Sequence, residues 1–304
     1  MASSSTGIET STVYVKEERN HVLTKRIILS SKMPPSIHIC IEGSIGAGKS
    51  TLLKKLYRYF KENTTQDWYK LPEPLDVWTS YGPRKENLLD KMYRDPKTFG
   101  FLFQSMVLNS RVEQFKNYRH NKHSYLLVER SIECQSRVFS PVLRQQDSLT
   151  STEYDVLVSL INNLAELPFY APHIIIYLRC KPKVSMERIM QRKRGEEVNV
   201  TMVYLERLMA KYDQWLIGSR DPRVIEVDAN DIEELNDMPK LFGRIMNALP
   251  LRYRGLITSK EIEWPTEISD EELIACLPSP TPPPSSPQPG CSKDRTPPPA
   301  YSEH

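Results

Sequence analysis

The run Gly43-Ser44-Ile45-Gly46-Ala47-Gly48-Lys49-Ser50, closed by Thr51, fits the pattern G-x-x-x-x-G-K-[ST] of a loop that cradles phosphates. Its glycines let successive backbone N–H groups turn toward one centre, and a helix opening at Lys49 adds its positive end. In that arrangement Lys49 reaches the β- and γ-phosphates and the Ser50 hydroxyl ligates Mg²⁺. ATP or GTP with Mg²⁺ is the expected ligand. The loop alone does not separate a GTPase, an ATPase motor and a small-molecule kinase.

Three further groups bear on that choice. Glu73-Pro74 follows a short apolar run, Trp68 to Leu71, and Glu129-Arg130-Ser131 follows another, Tyr125 to Val128. Singly, each reads as a solvated strand end. Together they fall where open α/β sheets place ligands, a carboxylate suited to act as a base and an arginine suited to hold a carboxylate or phosphate bidentately. The third group is the stretch from Arg188 to Glu197, with Arg192 and Arg194, which reads as a solvated basic turn or as a lid that carries arginines to a transferring phosphoryl group. No strand ends in a convincing second acidic Mg²⁺ motif of the motor type, and no Asn-Lys-x-Asp guanine motif occurs. Phosphoryl transfer to a small acceptor is the favoured chemistry.

Positioning these groups requires strands and helices in alternation. Near-continuous apolar runs predict strands at Ser36 to Glu42, Trp68 to Leu71, Tyr125 to Val128, His173 to Leu178 and Val224 to Val227, as buried parallel strands read. Helical spacing is expected over Lys49 to Asn63, Pro96 to about Lys122, Thr150 to Glu166, Lys183 to Arg192, Thr201 to Ile217 and Asp231 to Leu249. The pattern predicts an α/β fold with a five-stranded parallel sheet flanked by helices.

The chain has 304 residues and a formal charge of +3, and no window offers about 18 consecutive apolar residues, so no membrane span is expected. The balanced charge gives no footprint for nucleic acid. Cys40, Cys134, Cys180, Cys276 and Cys291 are scattered, which argues against a disulfide framework or zinc site and for a reducing compartment, the cytoplasm. Residues 1–34 read as a polar, disordered arm, 35–264 as the catalytic domain, and 265–304 as an acidic and then proline-rich disordered tail. Within that tail Pro298-Pro299-Ala300-Tyr301 matches P-P-x-Y, a ligand for WW domains.

The ordered motifs from Ile37 to Leu249 resemble those of the cellular and viral deoxynucleoside kinases. They are Ile41-Glu42-Gly43 into the phosphate loop, Glu73-Pro74-Leu75-Asp76-Val77-Trp78, Met92-Tyr93-Arg94-Asp95-Pro96, Phe103-Gln104-Ser105, Glu129-Arg130-Ser131, Ile176-Tyr177-Leu178-Arg179 and the arginine-rich lid. The resemblance implies a P-loop kinase fold, a homodimer, and transfer of the ATP γ-phosphoryl group to a deoxynucleoside 5′-hydroxyl. It implies Glu73 as the base, Arg130 as the group that holds that carboxylate or the 5′-oxygen, and Glu129 beside Ser50 at Mg²⁺. Arg192 and Arg194 correspond to lid arginines that clamp phosphates, and Arg188 to a residue against the adenine. Gln104 corresponds to the glutamine that pairs with the base edge; Trp78, Phe103 and Phe139 to its walls; Tyr93 and Glu197 to the pair at the sugar 3′-hydroxyl.

Base preference is read from departures. Val107 resembles the thymidine-accepting branch, Arg111 the deoxycytidine and deoxyguanosine branch, and Gln135 follows neither. A neutral amide at Gln135 beside Arg111 is expected to contact a 4-keto oxygen, which points to thymidine and leaves deoxycytidine and the purines open. A nucleoside monophosphate kinase and a non-catalytic family member are the competing readings.

Overall fold

The computed structural model describes residues 37–120, 125–167, 170–231 and 233–258. The expectations placed on residues 1–34 and 265–304, the P-P-x-Y motif among them, lie outside the described residues. Five strands form one sheet: β1 (Ile37–Gly43), β2 (Trp68–Leu71), β3 (Tyr125–Glu129), β4 (Ile174–Arg179) and β5 (Val224–Asp228). All neighbours pair in parallel, in the order β2-β3-β1-β4-β5. Each expected strand is present within about one residue at either end, because continuous burial leaves few other ways to satisfy an apolar run.

Helices cover both faces: α1 (Lys49–Asn63), α2 (Leu75–Thr79), α3 (Leu88–Arg94), α4 (Pro96–His120), α5 (Ser140–Gln145), α6 (Ser151–Ala165), α7 (Pro182–Arg192), α8 (Met202–Tyr212), α9 (Met238–Ala248) and α10 (Leu251–Arg254). Strand side chains alternate between faces. Ile37, Ile39 and Ile41 of β1 therefore pack with Leu52, Leu56 and Phe60 of α1 and Phe242 and Ile245 of α9. Cys40 faces the other layer, with Leu108 and Phe115 of α4 and Leu157 and Ile161 of α6. Among the described residues, no helix is long and apolar enough to cross a membrane.

The register fixes where the chemistry collects. Ile41 pairs with Glu129, and Gly43 with Leu178, so the carboxyl ends of β1 and β3 lie side by side with the phosphate loop between the two halves of the sheet. Strand order reverses on either side of β1, the place where doubly wound sheets open a ligand crevice.

Two helices differ from the periodicity-based expectation. The helix expected over Thr201 to Ile217 is α8 followed by a π-turn, Asp213–Ile217. There Asp213 accepts hydrogen bonds from Tyr177 Oη and Arg179, which tie the widened turn to β4. The helix expected from Asp231 begins only at Met238: Asp237 caps it through the Lys240 N–H, and Asp231 instead accepts from the backbone of Glu233 and Glu234 in a turn. The short α2, α3, α5 and α10 have too few turns to show a period, and the sequence reading did not resolve them.

Candidate active site

The phosphate loop joins β1 to α1 and depends on backbone shapes that side chains reject. Gly46 has φ +79°, and a Cβ there would lie 2.4 Å from the Ser185 carbonyl oxygen of α7. Gly48 caps α1 at φ +99°. Both positions need glycine. Lys49 folds back to donate to the Ser44 carbonyl at 2.8 Å. Burial and then Arg130 lower its ammonium to about 8, against the pull of Glu73, Glu129 and Glu42. Ser50 Oγ donates to Glu129 Oε1 at 2.8 Å. Arg188 donates to the carbonyls of Ala47 at 3.2 Å and Ala229 at 2.8 Å.

A cavity of about 500 Å³ runs from this loop into the space above the sheet. Ile45, Gly46, Gly48, Lys49, Ser50 and Thr51 line its loop end. Gly43, Ser44 and Ala47 stand behind that wall and lend their carbonyls to Arg130, Lys49 and Arg188.

Glu73, two residues beyond β2, forms an ion pair with Arg130, and Arg111 NH2 stands 3.9 Å from the same carboxylate oxygen. Burial alone would raise the Glu73 carboxyl, but Arg130, Lys49 and Arg111 outweigh it and hold the group ionised well below the usual carboxylate range. Arg130 takes a left-handed backbone, φ +64°, and its N–H bonds the Ile41 carbonyl at 3.0 Å. A non-glycine residue held in that region, at a site, marks a conformation that its surroundings impose. Its guanidinium lies 4.9 Å from the Phe139 ring centre and donates through Nε to Tyr212 Oη at 3.3 Å.

Glu42 supplies part of that imposition, and sequence reasoning missed the role. Fully buried, it accepts from the backbone and hydroxyl of Ser131, both at 2.7 Å, and from Tyr212 Oη at 3.3 Å. The chain Glu42, Tyr212, Arg130 thus braces the arginine from beneath. Burial raises the Glu42 carboxyl, while the Ser131 hydrogen bonds oppose the shift. The available signal was one carboxylate inside the apolar run Ile37–Gly43.

The far end of the cavity gathers the residues assigned to a nucleoside. Trp78 and Phe103 meet edge to face, ring centres 5.9 Å apart, and Trp78 Nε1 donates to Ser110 at 3.0 Å. Tyr93, Gln104, Val107, Arg111, Gln135 and Phe139 also line the wall. Leu75, Leu89, Met92, Cys134 and Tyr204 also line it and were not assigned to the site from sequence. Arg111 and Gln135 line the same cavity and bond different partners. Arg111 donates to the Glu129 carbonyl and to Gln114, while Gln135 donates to Gln104. The Gln135 amide nitrogen is thus engaged by Gln104.

The stretch Arg188 to Glu197, expected as a lid, spans the end of α7 and enters the short 3₁₀ turn Gly195–Asn199. Glu197 accepts Arg192 through two bonds of 2.6 and 2.5 Å, and Arg194 at 3.0 Å. The lid arginines and the residue assigned to a sugar hydroxyl thus form one cluster at the cavity rim. Asn87 ties the turn to α3 through Glu196 at 2.9 Å.

Ser50 Oγ and Glu129 Oε1 are hard oxygen donors suited to Mg²⁺, and no cluster of three acidic, His or Cys ligands exists among the described residues.

The family model for deoxynucleoside kinases matches residues 39–250. The chain is 28% identical to a probable deoxycytidine kinase of Fowlpox virus, over 71% of this chain and 89% of that one. It is 31% identical to deoxycytidine kinase 2 of Gallus gallus, over 65% and 78% of the two chains. It is also 31% identical to the deoxyadenosine kinase of Dictyostelium discoideum, over 79% and 98%.

Proposed function

The chain belongs to the deoxynucleoside kinase family, and from that premise we propose that it transfers the γ-phosphoryl group of ATP to the 5′-hydroxyl of a deoxynucleoside. The observation that carries this reading is the Glu73–Arg130 pair on the wall of the same cavity as the phosphate loop. A 5′-hydroxyl is a poor nucleophile at neutral pH, and a carboxylate within reach of its proton assists an in-line attack. A hydroxyl entering beside Glu73 would loosen the carboxylate from Arg130, and Glu73 would gain basicity as the ion pair lengthens. Arg130, left with a free donor face, then steadies charge on the 5′-oxygen.

Lys49 and the loop N–H groups bind the triphosphate. Arg192 and Arg194 are within reach of the cavity rim, and releasing Glu197 would free them for phosphate oxygens and Glu197 for a sugar hydroxyl. Mg²⁺ beside Ser50 and Glu129 would neutralise charge on the β- and γ-oxygens. A non-catalytic reading loses ground because Lys49, Ser50, Glu73, Arg130 and Arg192 all line one cavity.

A homodimer is supported by Leu102 of α4 and Val156 and Leu160 of α6, large apolar side chains that stand exposed. Cytoplasmic residence and docking of a WW domain to Pro298, Pro299 and Tyr301 rest on the sequence alone. The test is phosphorylation by ATP·Mg²⁺ of thymidine, deoxycytidine, deoxyadenosine, deoxyguanosine and thymidylate. Formation of nucleoside monophosphates is expected; turnover of thymidylate alone would contradict the proposal in favour of a monophosphate kinase.

A further inference from the structure

We propose that Tyr212 and Glu42 are positioning residues for the transfer step: Glu42 fixes the direction of the Tyr212 hydroxyl, and that hydroxyl holds Arg130 in place while Glu73 turns from the arginine to the incoming nucleoside. The inference rests on the kinase reading above and adds to it two residues that are not among those lining the cavity.

The direction of the chain follows from what each group can donate. An arginine Nε carries a proton and cannot accept, so the Tyr212 oxygen must accept from it, at 3.3 Å. The one hydroxyl proton is then left for Glu42 Oε2, also at 3.3 Å. That oxygen is open to it, because the Ser131 N–H and hydroxyl, at 2.7 Å, and the Cys40 thiol, at 3.5 Å, all donate to Oε1. Proton order therefore runs one way, from Arg130 to Tyr212 to Glu42. Glu42 and Tyr212 are fully buried, so solvent does not stand in for either contact.

The ring that carries the hydroxyl is itself fixed. Tyr212 ends α8, and its ring stacks on Tyr177 of β4 with centres 5.8 Å apart and on Trp215 at 6.2 Å. Tyr177 in turn donates to Asp213 at 2.7 Å.

What Arg130 gives up during the reaction shows where the hydroxyl matters. The guanidinium is held by Glu73 through NH1, by the Gly43 carbonyl at 3.4 Å, by Tyr212, and by the ring of Phe139, which ends the π-turn Gln135–Phe139. When Glu73 turns to the 5′-hydroxyl, the ion pair loosens and NH1 loses the partner that aimed it. The Nε bond to Tyr212 then keeps NH1 directed at the reacting atoms. Its contribution is greatest in the transition state and small when the nucleoside is merely bound, a pattern that lowers the transfer rate and spares affinity.

Single-turnover kinetics with ATP·Mg²⁺ test this, on whichever of thymidine, deoxycytidine, deoxyadenosine and deoxyguanosine turns over fastest. Tyr212→Phe keeps the stacked ring and removes the hydroxyl. Its transfer rate should fall by about tenfold, while the nucleoside dissociation constant stays within about twofold of wild type. Glu42→Gln should show the same loss, because an amide whose oxygen serves Ser131 sets its NH₂ against the Tyr212 hydroxyl and reverses the proton order. In an Arg130→Met background, with no Nε to hold, Tyr212→Phe should change the residual rate by less than about twofold. Circular dichroism checks each fold, and Glu42→Gln carries the test if Tyr212→Phe does not fold. A wild-type transfer rate in either folded single variant, a loss that appears in the dissociation constant instead, or the same loss without Arg130 would overturn the inference while leaving the kinase reading intact. Phosphorylation of none of the four nucleosides by the wild-type protein would overturn both.

Discussion

Arg130 shows how a reactive residue is held by groups that carry no motif. Its backbone is left-handed, its side chain spans Glu73, Tyr212 and Phe139, and Glu42 braces the adjoining Ser131. Glu73 and Arg130 could be picked out in the sequence because each ends an apolar run. Glu42 could not, since its role depends on strand parity, which turns it to the same side of the sheet as Cys40, and on Tyr212, 170 residues away in the chain. The charge balance at Glu73 makes a pH prediction. Its carboxyl is depressed below the ordinary 4.5, so the Arg130 pairing contributes stability above that value and loses it only as pH falls through the depressed one. The nucleoside kcat/KM should show no acid limb from pH 7 down to 5. In Arg130→Met the largest opposing charge is gone, burial prevails, and residual activity should fall on acidification within that range. An unchanged profile in the variant would contradict this account.

Among the elements, the phosphate loop and α7 depend on each other. The missing Cβ of Gly46 is what lets the loop lie against the Ser185 backbone, and Arg188 of the same helix reaches back to Ala47. Gly46→Ala adds a left-handed penalty of about 1–2 kcal/mol to a clash with a backbone atom that has no rotamer to yield. Thermal unfolding should drop by roughly 4–8 °C and ATP binding should weaken sharply; wild-type values for both would show that the loop can shift away from α7. Strands and long helices were readable because burial and period repeat along them. The base wall was read only in part. Gln104 and Gln135 lie on different elements, α4 and the π-turn, and the direction of an amide is set by a contact across space that spacing does not encode.

For the whole molecule, sheet order is the device that assembles the site. Placing β1 between β3 and β4 sets the loop after β1 beside Glu129 and Arg130, while the chain leaving β2 delivers Glu73 to the same edge. The residues that build the site fall between Ile41 and Ala229, within the family match over residues 39–250. A chain trimmed to residues 35–264 should fold and keep undiminished kcat; loss of either would move the domain boundary outward. The central claim is that Glu73 assists removal of the nucleoside proton during phosphoryl transfer, and single-turnover kinetics of Glu73→Gln with ATP·Mg²⁺ test it most directly. With the fold verified by circular dichroism, the transfer rate should fall by roughly 10²–10⁴ while the nucleoside dissociation constant stays close to wild type. A transfer rate equal to that of the wild-type protein would contradict the assignment.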